Sequence, residues 1–107
     1  MTFQINNEIW HIHFVSPGHH KIIRDDGSVS IGSCDDETKT IYIDDTLPDE
    51  LMRKVLCHEI THAAMFSYDV GLGPMQEEVI ADLIATYGDE IIHITNKIFN
   101  KLKGRYY

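Results

Sequence analysis

Hydrophobic and polar positions alternate through the first half of the chain and recur at helical spacing in the second. Glu8 to Val15 (EIWHIHFV) reads as a strand, rich in β-branched and aromatic residues, with Ile9, Ile12 or His11, Phe14 and Val15 on its alternating positions. Ser16-Pro17-Gly18 ends it, His19 to Arg24 suits one helical turn, and Asp26-Gly27 has turn chemistry. Ser28 to Cys34 and Thr40 to Asp44 then read as a hairpin around the polar loop Asp35 to Lys39.

The period changes after Asp45. Asp45 or Thr46 can cap a helix, Pro48 suits its first turn, and Asp49 and Glu50 complement its positive end. Leu51, Val55, Ile60, Ala63, Ala64 and Phe66 follow at helical spacing as far as Tyr68. Gly71 to Pro74 breaks the pattern. Val79, Ile80, Leu83, Ile84 and Tyr87 form a second stripe, which Ile91, Ile92, Ile94, Ile98, Phe99 and Leu102 continue. Gly88-Asp89 reads either as a C-cap followed by an N-cap, giving two helices, or as the interior of one long helix. The stripe from Ile91 to Leu102 is read as core, and part of it suits a homodimer interface, because a small domain offers a last helix little to pack against.

Composition narrows the class. A chain of 107 residues without repeats or linker-like tracts implies one domain over residues 1–107, and the order of elements implies α+β architecture. A formal charge of −8 argues against nucleic acid or an anionic membrane as partner, since both reward clustered positive charge. No apolar run approaches the roughly 20 residues that span a bilayer, and Met1 to Trp10 lacks the pattern of a secretory signal. Two cysteines make no disulfide framework, so a cytoplasmic location is expected. The seven histidines are the unusual feature.

Two of them stand in His58-Glu59-Ile60-Thr61-His62, an HExxH motif on the first long helix. Residues four apart on a helix differ by only about 40° of rotation, so both imidazoles project from one face and can share a Zn²⁺. Glu59 lies about 100° round from His58, where a carboxylate reaches an activated water without ligating the metal. Catalytic zinc takes three protein ligands as a rule. Glu78 and Asp82 are again four apart, on the next helix, and a carboxylate from an antiparallel neighbour can complete a His₂Glu site. Asp82 can accept a hydrogen bond from the free ring nitrogen of a ligand histidine.

HExxH followed by Glu78-Val-Ile-Ala-Asp82 resembles the glutamate motif of the gluzincin, thermolysin-like metallopeptidases. The surrounding order, with Gly32-Ser33-Cys34-Asp35, Ile41-Tyr-Ile-Asp44, then Leu47-Pro48 and Leu56-Cys-His-Glu-Ile-Thr-His-Ala63, is similar to small phage-associated ImmA/IrrE-like zinc peptidases. The resemblance covers roughly Ile31 to Gly88. It implies a zincin-like fold, one zinc per chain held by His58, His62 and Glu78, Glu59 as general base, Asp82 behind the ligands, and a protein or peptide substrate. It also implies extended substrate on the edge strand above the metal, beside Gly32, Ser33 and Cys34. Glu77 competes with Glu78 as ligand, but only Glu78 places an aspartate four residues on. The chain departs from the larger members in its short insert between His62 and Glu78. It also lacks most of the C-terminal subdomain that carries their transition-state-stabilising His or Tyr.

His93, Tyr68 and Tyr87 are the candidates for that missing role, each more often a packing residue. Cys57 reads as a small buried hydrophobe. Cys34 reads as a free thiol ahead of a regulatory ligand or a disulfide partner of Cys57. His11 and His13 share one face of their strand as surface residues, and His19-His20 lie in a loop. The expected activity is zinc-dependent peptide hydrolysis. The rival reading is a non-catalytic zinc-bearing binding module, associated with a phage or mobile element, in which the metal is structural.

Overall fold

In the computed structural model, which describes residues 1–104, four strands form one sheet and two helices follow it. The expected domain runs to residue 107, and its last three positions lie outside the described residues. β1 (Thr2–Ile5) and β2 (Glu8–Val15) form an antiparallel hairpin through Asn6-Asn7. Both asparagines have positive φ, 47° and 62°, as a type I′ turn requires, and asparagine tolerates that region better than most residues. The hydrophobic pattern does not predict β1.

β3 (Gly32–Asp35) and β4 (Thr40–Asp44) make the second hairpin. β3 is shorter than the Ser28–Cys34 strand of the sequence reading. Ser28 to Ile31 stays outside the sheet, where Val29 bridges Ile23 and Ser30 N donates to Ile22 O at 2.8 Å. The predicted helical turn within His19–Arg24 is a single 3-10 turn, His20–Ile22. The sheet order is β1-β2-β4-β3, and β4 runs parallel to β2 with Ile12 opposite Ile41. The sheet is therefore mixed.

Its inner face presents Trp10, Ile12, Ile41 and Ile43 to Val55 and Ala63 of α1 (Asp49–Ser67), forming the core. This settles the side left open on β2: Trp10 and Ile12 point inward and Ile9 outward, while Phe14, on the same parity as Ile12, stays 43% exposed near the strand's end. The indole decides it. Trp10 stacks between Phe3 and Phe66, with ring centroids 6.4 and 6.5 Å away, and its Nε1 donates to Ser67 Oγ at 2.8 Å. His11 and His13 are exposed, as expected.

Neither Asp45 nor Thr46 caps α1. Asp44 Oδ1 accepts from the N and Oγ1 of Thr46, at 2.8 and 2.6 Å, turning the chain off β4, and Pro48 takes the cap position without a side-chain bond. α2 (Pro74–Gly104) is one helix of 31 residues. Gly88 does not end it, because the αL cap that a helix-ending glycine adopts needs positive φ, and Gly88 keeps helical dihedrals. α2 runs antiparallel to α1, with contacts His62–Glu77, His58–Asp82 and Arg53–Asp89 in descending and ascending order along the two helices. Ala81 is fully buried at the crossing. Since Arg53 lies near the start of α1, α2 continues past α1 beyond Asp89. Ile91 to Leu102, read from sequence as core, is exposed for this reason. Among the described residues no helix is long and apolar enough to cross a membrane.

Candidate metal centre

α1 supplies His58, Glu59 and His62, and α2 supplies Glu77, Glu78 and Asp82. The i, i+4 spacing turns both imidazoles of α1 toward α2. His62 Nε2 lies 3.2 Å from His58 Nε2 and 2.9 Å from Glu78 Oε1, and His58 Nε2 is 3.2 Å from Glu78 Oε2. The opposite nitrogens meet other carboxylates: His58 Nδ1 is 3.0 Å from Asp82 Oδ1, and His62 Nδ1 is 3.2 Å from Glu77 Oε1.

Each ring therefore has a carboxylate at both nitrogens. With the proton on Nδ1, facing Asp82 or Glu77, each Nε2 presents a lone pair toward Glu78. Two lone pairs and the Glu78 carboxylate then converge with no donor among them, which is unfavourable unless a cation sits between them. The spacing suits one. Two nitrogens each about 2.0–2.1 Å from a single ion in tetrahedral geometry stand about 3.3 Å apart, close to the 3.2 Å between the Nε2 atoms. His58, His62 and Glu78 together form a group able to hold a metal ion.

Glu59 stands on the sheet side of the cluster. It is buried, and its Oε2 has no hydrogen-bond partner. Burial pushes its carboxyl above the ordinary range, against the pull of His58 and His62. β3 crosses directly over it at Gly32, where a Cβ would stand 2.9 Å from Val55 Cγ1 and 3.2 Å from Glu59 Cγ. Gly32 thus makes room for the helix beneath the strand. Cys34, two residues on, is a free thiol, and burial with the nearby Glu59 charge pushes it well above the usual thiol range, so it stays protonated. Cys57 is also free and half-buried.

A cleft of about 870 Å³ opens over the cluster. Its walls include Gly32, Ser33 and Cys34 of β3, along with His58, Glu59, His62, Glu78 and Asp82. Lys21, Arg24 and Lys54 also line it, so three cations share the cleft with Glu59, Glu77, Glu78 and Asp82. Tyr68, Tyr87 and His93 do not line the cleft. Tyr68 ends α1 in solvent, and Tyr87 and His93 sit on exposed stretches of α2. The contact of Glu77 with His62 is the one the sequence reading missed. Two ligand histidines call for two outer partners, and Asp82 can serve only one; that count is the available signal. Glu77 and Glu78 are adjacent, so they point about 100° apart, one behind His62 and one into the site.

A mixed sheet, a helix bearing HExxH and a second helix bearing the carboxylates define a metallopeptidase-like class of protein. Residues 8–93 match the IrrE N-terminal-like domain, the Peptidase M78 family. The chain belongs to this peptidase family. Comparison with curated proteins and with solved structures gave no match.

Proposed function

We propose that the chain is a zinc-dependent endopeptidase acting on protein or peptide substrates in the cytoplasm. The observation that carries this reading is the convergence of two Nε2 atoms and one carboxylate, with each histidine met from behind by its own acid. Zinc bound by His58, His62 and Glu78 would supply Lewis acidity toward the scissile carbonyl and acidify a water molecule. Asp82 and Glu77 keep the two rings in the ligating tautomer. Glu59, buried beside the ligands with a free Oε2, takes the proton of the attacking water and returns it to the leaving amine. Extended substrate lies along β3 beside Gly32, Ser33 and Cys34, within a fold we read as zincin-like.

A second reading has one observation in its favour. None of His93, Tyr68 and Tyr87 lines the cleft, so none of these three is placed to stabilise an oxyanion. On that reading the protein is a zinc-bearing regulatory module associated with a phage or mobile element. Cleavage of a peptide library by wild type and Glu59→Gln, with zinc content measured on both, separates the two. For the peptidase, Glu59→Gln keeps one zinc per chain and loses about 10²- to 10⁴-fold in rate. Equal rates, or no cleavage by either protein with zinc bound, supports the module. No bound zinc and no zinc-dependent rise in melting temperature defeats both.

A further inference from the structure

We infer that two copies of this chain associate through the C-terminal half of α2, paired antiparallel. Every residue from Asp89 to Gly104 is exposed, although this stretch carries Ile91, Ile92, Ile94, Ile98, Phe99 and Leu102, each 44–59% exposed. A helical segment of about this length is marginal in water without a packing partner. Ile84, Tyr87, Ile91, Ile94 and Ile98 follow one another in steps of three and four, the spacing of a coiled-coil seam. None of these five lines the cleft, so pairing leaves the metal centre open.

Charge identifies the occupant as a second copy and sets its direction. The first part of α2 is acidic, with Glu77, Glu78, Asp82, Asp89 and Glu90, and its end is basic, with Lys97, Lys101 and Lys103. Antiparallel pairing sets the acidic part of one helix against the basic part of the other, whereas parallel pairing aligns like with like. The register that places Ile91 opposite Ile94 of the second copy also places Tyr87 opposite Ile98. Glu90 and Lys97 each directly precede a seam residue, so they flank the same edge. In this register Glu90 meets Lys97 of the second copy with an axial offset of about 3 Å, and the symmetry repeats the contact. Neither residue has an ion-pair partner within one copy among the described residues.

Sedimentation equilibrium on the full chain tests this. Wild type is expected to show a concentration-dependent monomer–dimer equilibrium, and Ile94→Asp to be monomeric. Glu90→Lys and Lys97→Glu each turn two attractive contacts repulsive and weaken the dimer about tenfold, while the double exchange restores it. All three substituted positions are exposed, and circular dichroism with thermal melting checks that each variant folds. A wild-type chain that stays monomeric into the millimolar range overturns the inference. So does a dimer whose dissociation constant ignores the single charge changes, or is not restored by the double exchange.

Discussion

A methyl group at Gly32 tests the close packing of β3 on α1. Alanine there puts a carbon 2.9 Å from Val55 Cγ1 and 3.2 Å from Glu59 Cγ, where carbon atoms settle at about 3.5–4.0 Å. Val55 must therefore move by more than half an ångström. It is buried and β-branched, so rotation offers little escape. Overpacking of this kind costs about 1–3 kcal/mol. The lost freedom of the unfolded chain offsets about 0.4–1 kcal/mol, because Gly32 does not hold a positive φ. Gly32→Ala should thus lower the unfolding free energy by about 1–2 kcal/mol, measured by urea denaturation with zinc present. Trimming Val55 in the same chain tests the cause. Gly32→Ala with Val55→Ala should fall short of the summed single effects by about 1 kcal/mol, because the clash disappears. The contact with Glu59 remains in that double variant, so any catalytic loss should persist. A Gly32→Ala protein as stable as wild type, or strict additivity in the cycle, would refute the reasoning.

Glu78→Gln should abolish tight zinc binding, while Glu77→Gln, which weakens only the bond behind His62, should lower affinity about 10- to 100-fold in a competition assay. Equal losses would reverse the assignment of the two glutamates. Ser67→Ala leaves the Trp10 indole N–H buried without a partner and should cost about 1–3 kcal/mol by denaturation, with zinc affinity unchanged.

The HExxH helix and the Glu78/Asp82 pair were legible because both depend on local spacing, which a helix turns directly into a shared face. The role of Glu77 was not, because it depends on how far α2 slides along α1. In the structure that offset brings Ala81 into the buried contact and Arg53 beside Asp89. β1 escaped a hydrophobic reading because four residues carry little periodicity. Asn6-Asn7 was the better signal, since two adjacent asparagines suit a type I′ turn. On β2, alternation established a strand but left its inward side open, and the bulk of Trp10 settled it. Periodicity also marked an apolar stripe on α2 beyond Asp89, but its reading as core failed because α2 runs past α1 there. It does not tell whether this chain or another covers such a face.

The parallel pairing of β2 with β4 carries a consequence in time. Each hairpin joins near neighbours in the chain, and such turns close within microseconds. Ile12 meets Ile41 only after everything from Ser16 to Lys39 has looped round, and this long closure costs entropy before any burial repays it. The same closure completes the core, setting Trp10 and Ile12 beside Ile41, Ile43 and α1. The central seam of the sheet and the core beneath it are thus assembled together. A chain stalled before that step would hold both hairpins and the HExxH helix, yet lack the core that buries Trp10 and Ile12.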